Sequence, residues 1–195
     1  MSLSELYKGC RTYRRFTQKP VPEELLHTLV DTAHTRSCGR NGQPLRFIVV
    51  KSPEKVAAMQ PLVRWAAALP KAIGTPVQGE QPTAFVVVLR ENNAGPLTNV
   101  DLGIALDTMA ICAWEQGVGS CIMAAVDRKA IGELLSVPEG WEVNIVLALG
   151  YPSHQSTLVE AQEGGSLDYY VDEKRDYYVP KLKLKDVARC CWNGR

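Results

Sequence analysis

Between residues 11 and 16 the chain reads Arg-Thr-Tyr-Arg-Arg-Phe, so Arg11, Arg14, Arg15 and the Thr12 hydroxyl crowd into one short stretch. Near the other end, Lys181, Lys183 and Lys185 alternate, and in an extended chain that spacing puts all three on one face. Arginine forks and lysine ammonium groups suit phosphate, and each charge-assisted hydrogen bond contributes about 1.5–3 kcal/mol. If the two stretches meet they form a monophosphate site. If they stay apart they are solvated basic faces balanced by Glu5, Glu23, Asp172 and Asp186. Anion binding here has to be local: Lys and Arg number 22 against 21 Asp and Glu, a net charge of +1. That balance argues against a nucleic-acid or membrane-surface binder, which carries a broad basic excess.

Other chemistry-bearing residues give less. Cysteines stand at 10, 38, 112, 121, 190 and 191, with no Cys-x-x-Cys pair and no histidine spaced to complete a zinc site. Cys112 and Cys121 lie in apolar runs, where a free cysteine behaves as a small hydrophobe instead of a redox thiol. His27, His34 and His154 are scattered, and each reads as a surface residue. Gly117-x-Gly119 is followed by Ile122 where a dinucleotide-binding turn needs its third glycine, and it follows a helical pattern, not a strand. Neither a Gly-x-x-x-x-Gly-Lys-Ser/Thr loop nor a Gly-x-Ser-x-Gly elbow is present. Rossmann dehydrogenases, P-loop enzymes and α/β-hydrolases are therefore excluded.

The elements that must position these residues belong to one domain. The 195 residues are 46% hydrophobic and 22% charged, an ordinary globular composition, and a chain of this size buries about 70% of its unfolded surface without a staple. No apolar stretch reaches the roughly 18–20 residues that span a bilayer. The opening residues contain no apolar core of a signal peptide, so the expected compartment is the cytoplasm. Residues 20–35 predict a helix with prolines and acids in its first turn, ending between Thr35 and Gly39. Phe47–Val50 predicts a buried strand, 53–69 a helix kinked at Pro61, and 70–82 a loop. Ala84–Leu89 is apolar on both faces and predicts a central strand. Asp101–Gln116 predicts a helix buried on most sides, followed by an extended segment from Ser120 to Val126. Asp127 caps a helix through Leu135, and Asn144–Leu149 predicts another interior strand. Beyond it the chain is polar and tyrosine-rich with no clear period. No repeat or linker divides the chain.

Several of these residues carry a resemblance. Arg11-Thr12-x-Arg14-x-Phe16, then Lys19-Pro20-Val21-Pro22-Glu23-Glu24-Leu25-Leu26, then Asn41-x-Gln43-Pro44 before a strand, resembles the nitroreductase family of FMN-dependent NAD(P)H oxidoreductases, in a short form. Asp101-x-Gly103-x-Ala105, Gly117-Val118-Gly119-Ser120-Cys121, Asp127-Arg128, Leu147-Ala148-Leu149-Gly150-Tyr151-Pro152 and Val179-Pro180-Lys181-Leu182-Lys183-Leu184 follow in the family's order. The resemblance runs from about residue 7 to 188. It implies an α+β fold: a three-layer α/β/α sandwich whose mixed, mostly antiparallel central sheet carries helices on both faces. It implies that Arg11, Thr12 and Arg14, helped by Lys181 and Lys183, hold the FMN phosphate and ribityl chain. Ser37, Cys38, Gly39 and Asn41 would lie along the flavin. Ile122, Met123, Ala124 and Ala125 would pass its face, with a backbone N–H near Ala124 reaching toward flavin N5. It also implies a homodimer with flavin at the subunit interface, the segment of about 176–195 being exchanged between partners. Val179, Val187 and Trp192 fit that exchange, and docking within one chain is the alternative.

The sequence departs from the family at Cys10, where a second arginine is common, at Ser37-Cys38 in place of Pro-Ser, and at Ala124-Ala125 in place of glycine-containing pairs. The implied activity takes hydride from NADH or NADPH and reduces a small acceptor, a nitroaromatic or a quinone, by a ping-pong mechanism with no catalytic acid or base and no metal. The rivals are specialised flavin chemistry (reductive dehalogenation or flavin fragmentation) and a non-enzymatic flavin-binding protein in which Ala124-Ala125 blocks nicotinamide. The 70–82 loop is a substrate cover or a plain surface loop.

Overall fold

Burial pattern accounts for the layers. The computed structural model describes residues 2–188, with helices α1 (Leu3–Gly9), α2 (Glu23–His34), α3 (Pro53–Met59), α4 (Lys71–Gly74), α5 (Thr98–Glu115), α6 (Arg128–Leu134) and α7 (Leu184–Val187). The strands are β1 (Leu45–Val50), β2 (Ala84–Glu91), β3 (Gly119–Met123), β4 (Trp141–Gly150), β5 (Ser156–Glu160), β6 (Tyr170–Val171) and β7 (Tyr177–Lys181). The central sheet runs β1-β2-β4-β3 and is antiparallel throughout. Successive side chains of a strand face opposite ways. Val86, Val88, Leu147 and Leu149 therefore pack on Leu26 and Leu29 of α2 and Leu106 and Met109 of α5. Phe85, Val87, Val146 and Ala148 face Val56 and Met59 of α3 and Ile131 of α6. This is the expected three-layer α+β sandwich. Parallel pairing enters at the edge of the central sheet, where Thr12 bridges Ser120 of β3 in parallel, and β5 and β7 are also parallel, with β6 antiparallel to β7, in a separate three-stranded sheet.

Local chemistry sets the boundaries. Ser2 and Glu5 form a reciprocal capping box on α1, Ser52 caps α3 ahead of Pro53, and Asp127 caps α6 through the Ala130 N–H at 3.0 Å. The 53–69 helix is shorter than expected. It gives way at Gln60–Leu62 to one 3₁₀ turn containing Pro61, and Val63 then pairs with Val126. Proline removes a helical N–H, and the next residues find strand partners instead. β1 is an edge strand and only Val50 of it is buried, not the whole run. The tail carries three strands that no period announced. Residues 177–181 pair with β5 of the same chain; Cys190, Cys191 and Trp192 lie outside the described residues. Among the described residues no helix is long and apolar enough to cross a membrane.

Candidate functional site

The segment after α1 runs extended along the end of the central sheet. Tyr13 N–H donates to Ser120 O at 2.9 Å, Thr17 N–H to Tyr151 O at 2.8 Å, and Ser153 N–H to Arg15 O at 3.1 Å. Phe16 is fully buried against Gly150, where an added Cβ would come within 2.8 Å of the phenyl ring. Thr12 bridges Ser120 on β3 and stays exposed.

The three arginines of this segment have different fates. Arg15 is buried; its Nη2 donates to Arg175 O, and Nη1 lies 3.6 Å from Glu80 Oε1. Glu80 also accepts both terminal nitrogens of Arg175, at 3.1 and 3.2 Å. The 70–82 segment is not all loop, since it opens with α4, and this network ties it to both the N-terminal segment and the tail, so Arg15 is structural. Arg11 and Arg14 are half-buried and make no hydrogen bond or ion pair to any described residue, and the Nε atoms of Arg11 and Arg15 are buried without partners. The Arg14 guanidinium lies over Tyr169, 4.4 Å from the ring centroid, and over Tyr177 at 5.1 Å. Thus the N-terminal segment meets the tail at Tyr177, the first residue of β7. Lys181 is the last residue of β7, about 13 Å away along an extended strand. It is exposed, and Lys183 Nζ pairs with Glu160 at 3.2 Å.

On the same side of the fold, Thr12 is bridged to β3 and Met123 closes that strand. Met123 is buried in the core beneath α6, whereas Ala124 and Ala125 beyond it are exposed. Their carbonyls are used, by Arg64 N–H at Ala125 O (3.0 Å) and by Arg128 at Ala124 O (3.2 Å). Their own N–H groups donate to no described residue. Two open backbone donors therefore lie one strand length from two uncommitted guanidinium groups.

Ser37, Cys38, Gly39 and Asn41 lie elsewhere on the chain. Gly39 N–H donates to Asp101 Oδ1 at 2.8 Å, which fixes the loop to the N-terminal end of α5, and a Cβ on Gly39 would meet Leu97 at 2.8 Å. Arg40, Asn41 and Gln43 all hold positive φ, at 53, 54 and 48°, a conformation costly for arginine and glutamine and concentrated at functional loops. Ser37 and Cys38 line a cavity of about 230 Å³ with Phe47, Asp101 and Ile104. The arginine segment instead touches the C-terminal half of α5, where Cys10 Sγ lies 3.5 Å from Ala110 O and Tyr13 stacks on Trp114 at 5.0 Å. At 1.5 Å per residue, the two groups of candidate residues sit about 15–20 Å apart along one helix.

His154 is not a surface residue. It is 6% exposed, meets Tyr13 and Tyr177 edge-on at 5.4 and 4.8 Å, and neither ring nitrogen has a partner among the described residues. Burial, with Arg15, Arg14 and Arg175 nearby, pushes its pKa down to about 4, against a smaller upward pull from Asp176. Burial also raises the thiols of Cys10 and Cys121 to about 11, which keeps them inert. Sequence reasoning missed Asp101 as the loop's acceptor, Glu80 as a hub, and Tyr169 and Tyr177 beneath Arg14; only the tyrosine density of 169–178 signalled the last two.

A family model described as the nitroreductase family matches residues 7–151. A protein of Archaeoglobus fulgidus provisionally named NADH dehydrogenase/NAD(P)H nitroreductase is 26% identical over 172 residues, covering 84% of this chain and 93% of that one. Iodotyrosine deiodinase of Thermotoga neapolitana is 23% identical over 167 residues, covering 77% and 88%. A solved FMN-dependent nitroreductase from Clostridium difficile R20291 shares the fold, with a TM-score of 0.64, 20% identity, and 80% and 90% coverage.

Proposed function

The chain belongs to the nitroreductase family, and from that membership we propose that it is an FMN-dependent oxidoreductase taking hydride from NADH or NADPH and reducing a small acceptor such as a nitroaromatic or a quinone. The observation that carries the proposal is the pair of half-buried guanidinium groups, Arg11 and Arg14, with no partner among the described residues. Desolvated cations without counter-charges are unfavourable alone, and a phosphate supplies both charge and acceptors. The donor set therefore fits FMN.

In this reading Arg11, Thr12 and Arg14 hold the phosphate end. The open N–H groups at Ala124 and Ala125 hydrogen-bond the polar edge of the ring system, and their small side chains leave that face clear for a planar substrate. Bound there, the cofactor supplies the hydride and electron transfer; the chain orients it and needs no acid or base of its own. Ser37, Cys38, Gly39 and Asn41 sit at the far end of α5, beside the exposed Leu97 and Val100. We assign them to the flavin of a second copy, so the site is composite and the protein a homodimer. If the segment from about 176 is exchanged with that partner, Lys181 and Lys183 join the phosphate site from the partner, and so does the Tyr177 ring beside Arg14.

Anaerobic titration of the FMN-loaded protein with NADH and NADPH tests the activity. Bleaching by at least one nucleotide, with parallel double-reciprocal plots against p-nitrobenzoate or menadione, is expected. Flavin that responds to dithionite but to neither nucleotide would leave a flavin-binding protein without this activity. Likeness to a deiodinase favours a second reading, reductive dehalogenation at the same site, which iodide release from iodotyrosine would reveal.

A further inference from the structure

We propose that Tyr169 and Tyr177 are positioning residues for phosphate recognition: they hold the Arg14 guanidinium by its face and leave its in-plane N–H donors for the FMN phosphate. The inference rests on the FMN reading above and adds a role for the tail that neither family motifs nor charge patterning assigned.

A guanidinium has two chemically different surfaces. Its flat face stacks on aromatic rings, while its five N–H groups lie in the plane and match a phosphate's oxygens. Arg14 lies over two such rings and commits none of its N–H groups to an oxygen of a described residue. Its Cζ lies 4.4 Å from the Tyr169 centroid and 5.1 Å from that of Tyr177, and it makes no hydrogen bond or ion pair to a described residue. Its neighbour Arg15 shows the contrary arrangement, with both terminal nitrogens directed at protein oxygens.

The cradle is itself fixed. Tyr177 is 1% exposed and meets the buried His154 ring at 4.8 Å and 84°. Tyr169 packs on Tyr177 at 5.9 Å between centroids, and its hydroxyl accepts Ala68 N–H at 3.4 Å. Residues 64–69 are in turn joined to the Ala124–Ala125 turn through Arg64 N–H to Ala125 O at 3.0 Å. An arginine held this way loses less rotamer freedom on binding than one free in solvent, and that saving appears as affinity. The benefit applies to the phosphate alone.

Flavin fluorescence titrations with FMN and with riboflavin test this in the full-length protein. Riboflavin lacks the phosphate, so Tyr169→Ala should weaken FMN by about five- to tenfold and leave riboflavin within about twofold, while Tyr169→Phe, which keeps the ring, should hold FMN near wild type. An unchanged FMN affinity in Tyr169→Ala, or equal losses for FMN and riboflavin, would overturn the inference. Tyr169→Leu, which keeps apolar bulk without a π face, carries the same expectations if the alanine variant does not fold. Wild-type protein that binds neither ligand would overturn the FMN reading itself, whereas wild-type binding of FMN without the Tyr169 effect overturns only the cradle.

Discussion

Lowering the pH from 7.5 to 5 should weaken the fold by about 2 kcal/mol through His154 alone. The ring is almost fully buried, neither nitrogen has a partner among the described residues, and Arg15, Arg14 and Arg175 lie nearby against the opposing charge of Asp176. Its pKa of about 4 in the folded protein lies below the ordinary value of 6.5, so the folded state favours the neutral ring. The stabilisation is complete above about pH 6.5, where both states are neutral. It falls by about 1.4 kcal/mol per pH unit as the unfolded chain takes up a proton that the folded one refuses, and below pH 4 no more is lost. Carboxylates titrate over part of the same range, so the clean measurement is a difference. Urea unfolding of wild type and His154→Phe, which keeps the edge-on aromatic contacts without the titration, should be followed from pH 7.5 to 5. The variant's stability relative to wild type should rise by about 2 kcal/mol as the pH falls. A difference flat to within about 0.5 kcal/mol would mean that the ring is hydrated or paired and would refute the reasoning.

Three further substitutions read other contacts. Gly119→Ala puts a Cβ 2.6 Å from Pro152 Cγ and from Tyr13 Cδ2; overpacking of about 2 kcal/mol should lower Tm by about 4–8 °C in thermal unfolding, and an unchanged Tm would show that the Tyr13 segment yields freely. Glu80→Ala removes the two-pronged partner of Arg175 and the acid beside the buried Arg15. A loss of about 3 kcal/mol in urea unfolding is expected, and a loss below about 1 kcal/mol would mean that water already screens the network. Asp101→Ala leaves Gly39 N–H without its acceptor; about 1.5–3 kcal/mol of loop stability should go, seen as faster exchange of that amide, with unchanged protection contradicting the assignment.

The legibility of this chain followed the range of the interactions. Ala84–Leu89 reads as a central strand because both its faces are buried, and β2 lies between β1 and β4. Asp127 and the 101–116 helix were visible for similarly local reasons. The 53–69 pattern misled because Val63 finds a strand partner at Val126, far along the chain. Arg15 and Arg14 are adjacent and chemically identical, so no pattern separates the one tied to Glu80 from the one laid over Tyr169. His154 looked exposed because its neighbours in sequence are polar, while the rings that bury it come from Tyr13 and Tyr177. The split of the candidate residues between the two ends of α5 was equally invisible, since family order ranks motifs along the chain and says nothing of their separation in space.

The central claim is that Arg11 and Arg14 with the Ala124–Ala125 turn make an FMN site. The most direct test is to incubate the purified protein with excess FMN, pass it through gel filtration, and record the visible spectrum of the protein peak. Co-elution near one flavin per chain, lost in Arg14→Ala, is the predicted result. A colourless protein peak with all flavin in the small-molecule fraction, and no quenching of flavin fluorescence at micromolar protein, would contradict it.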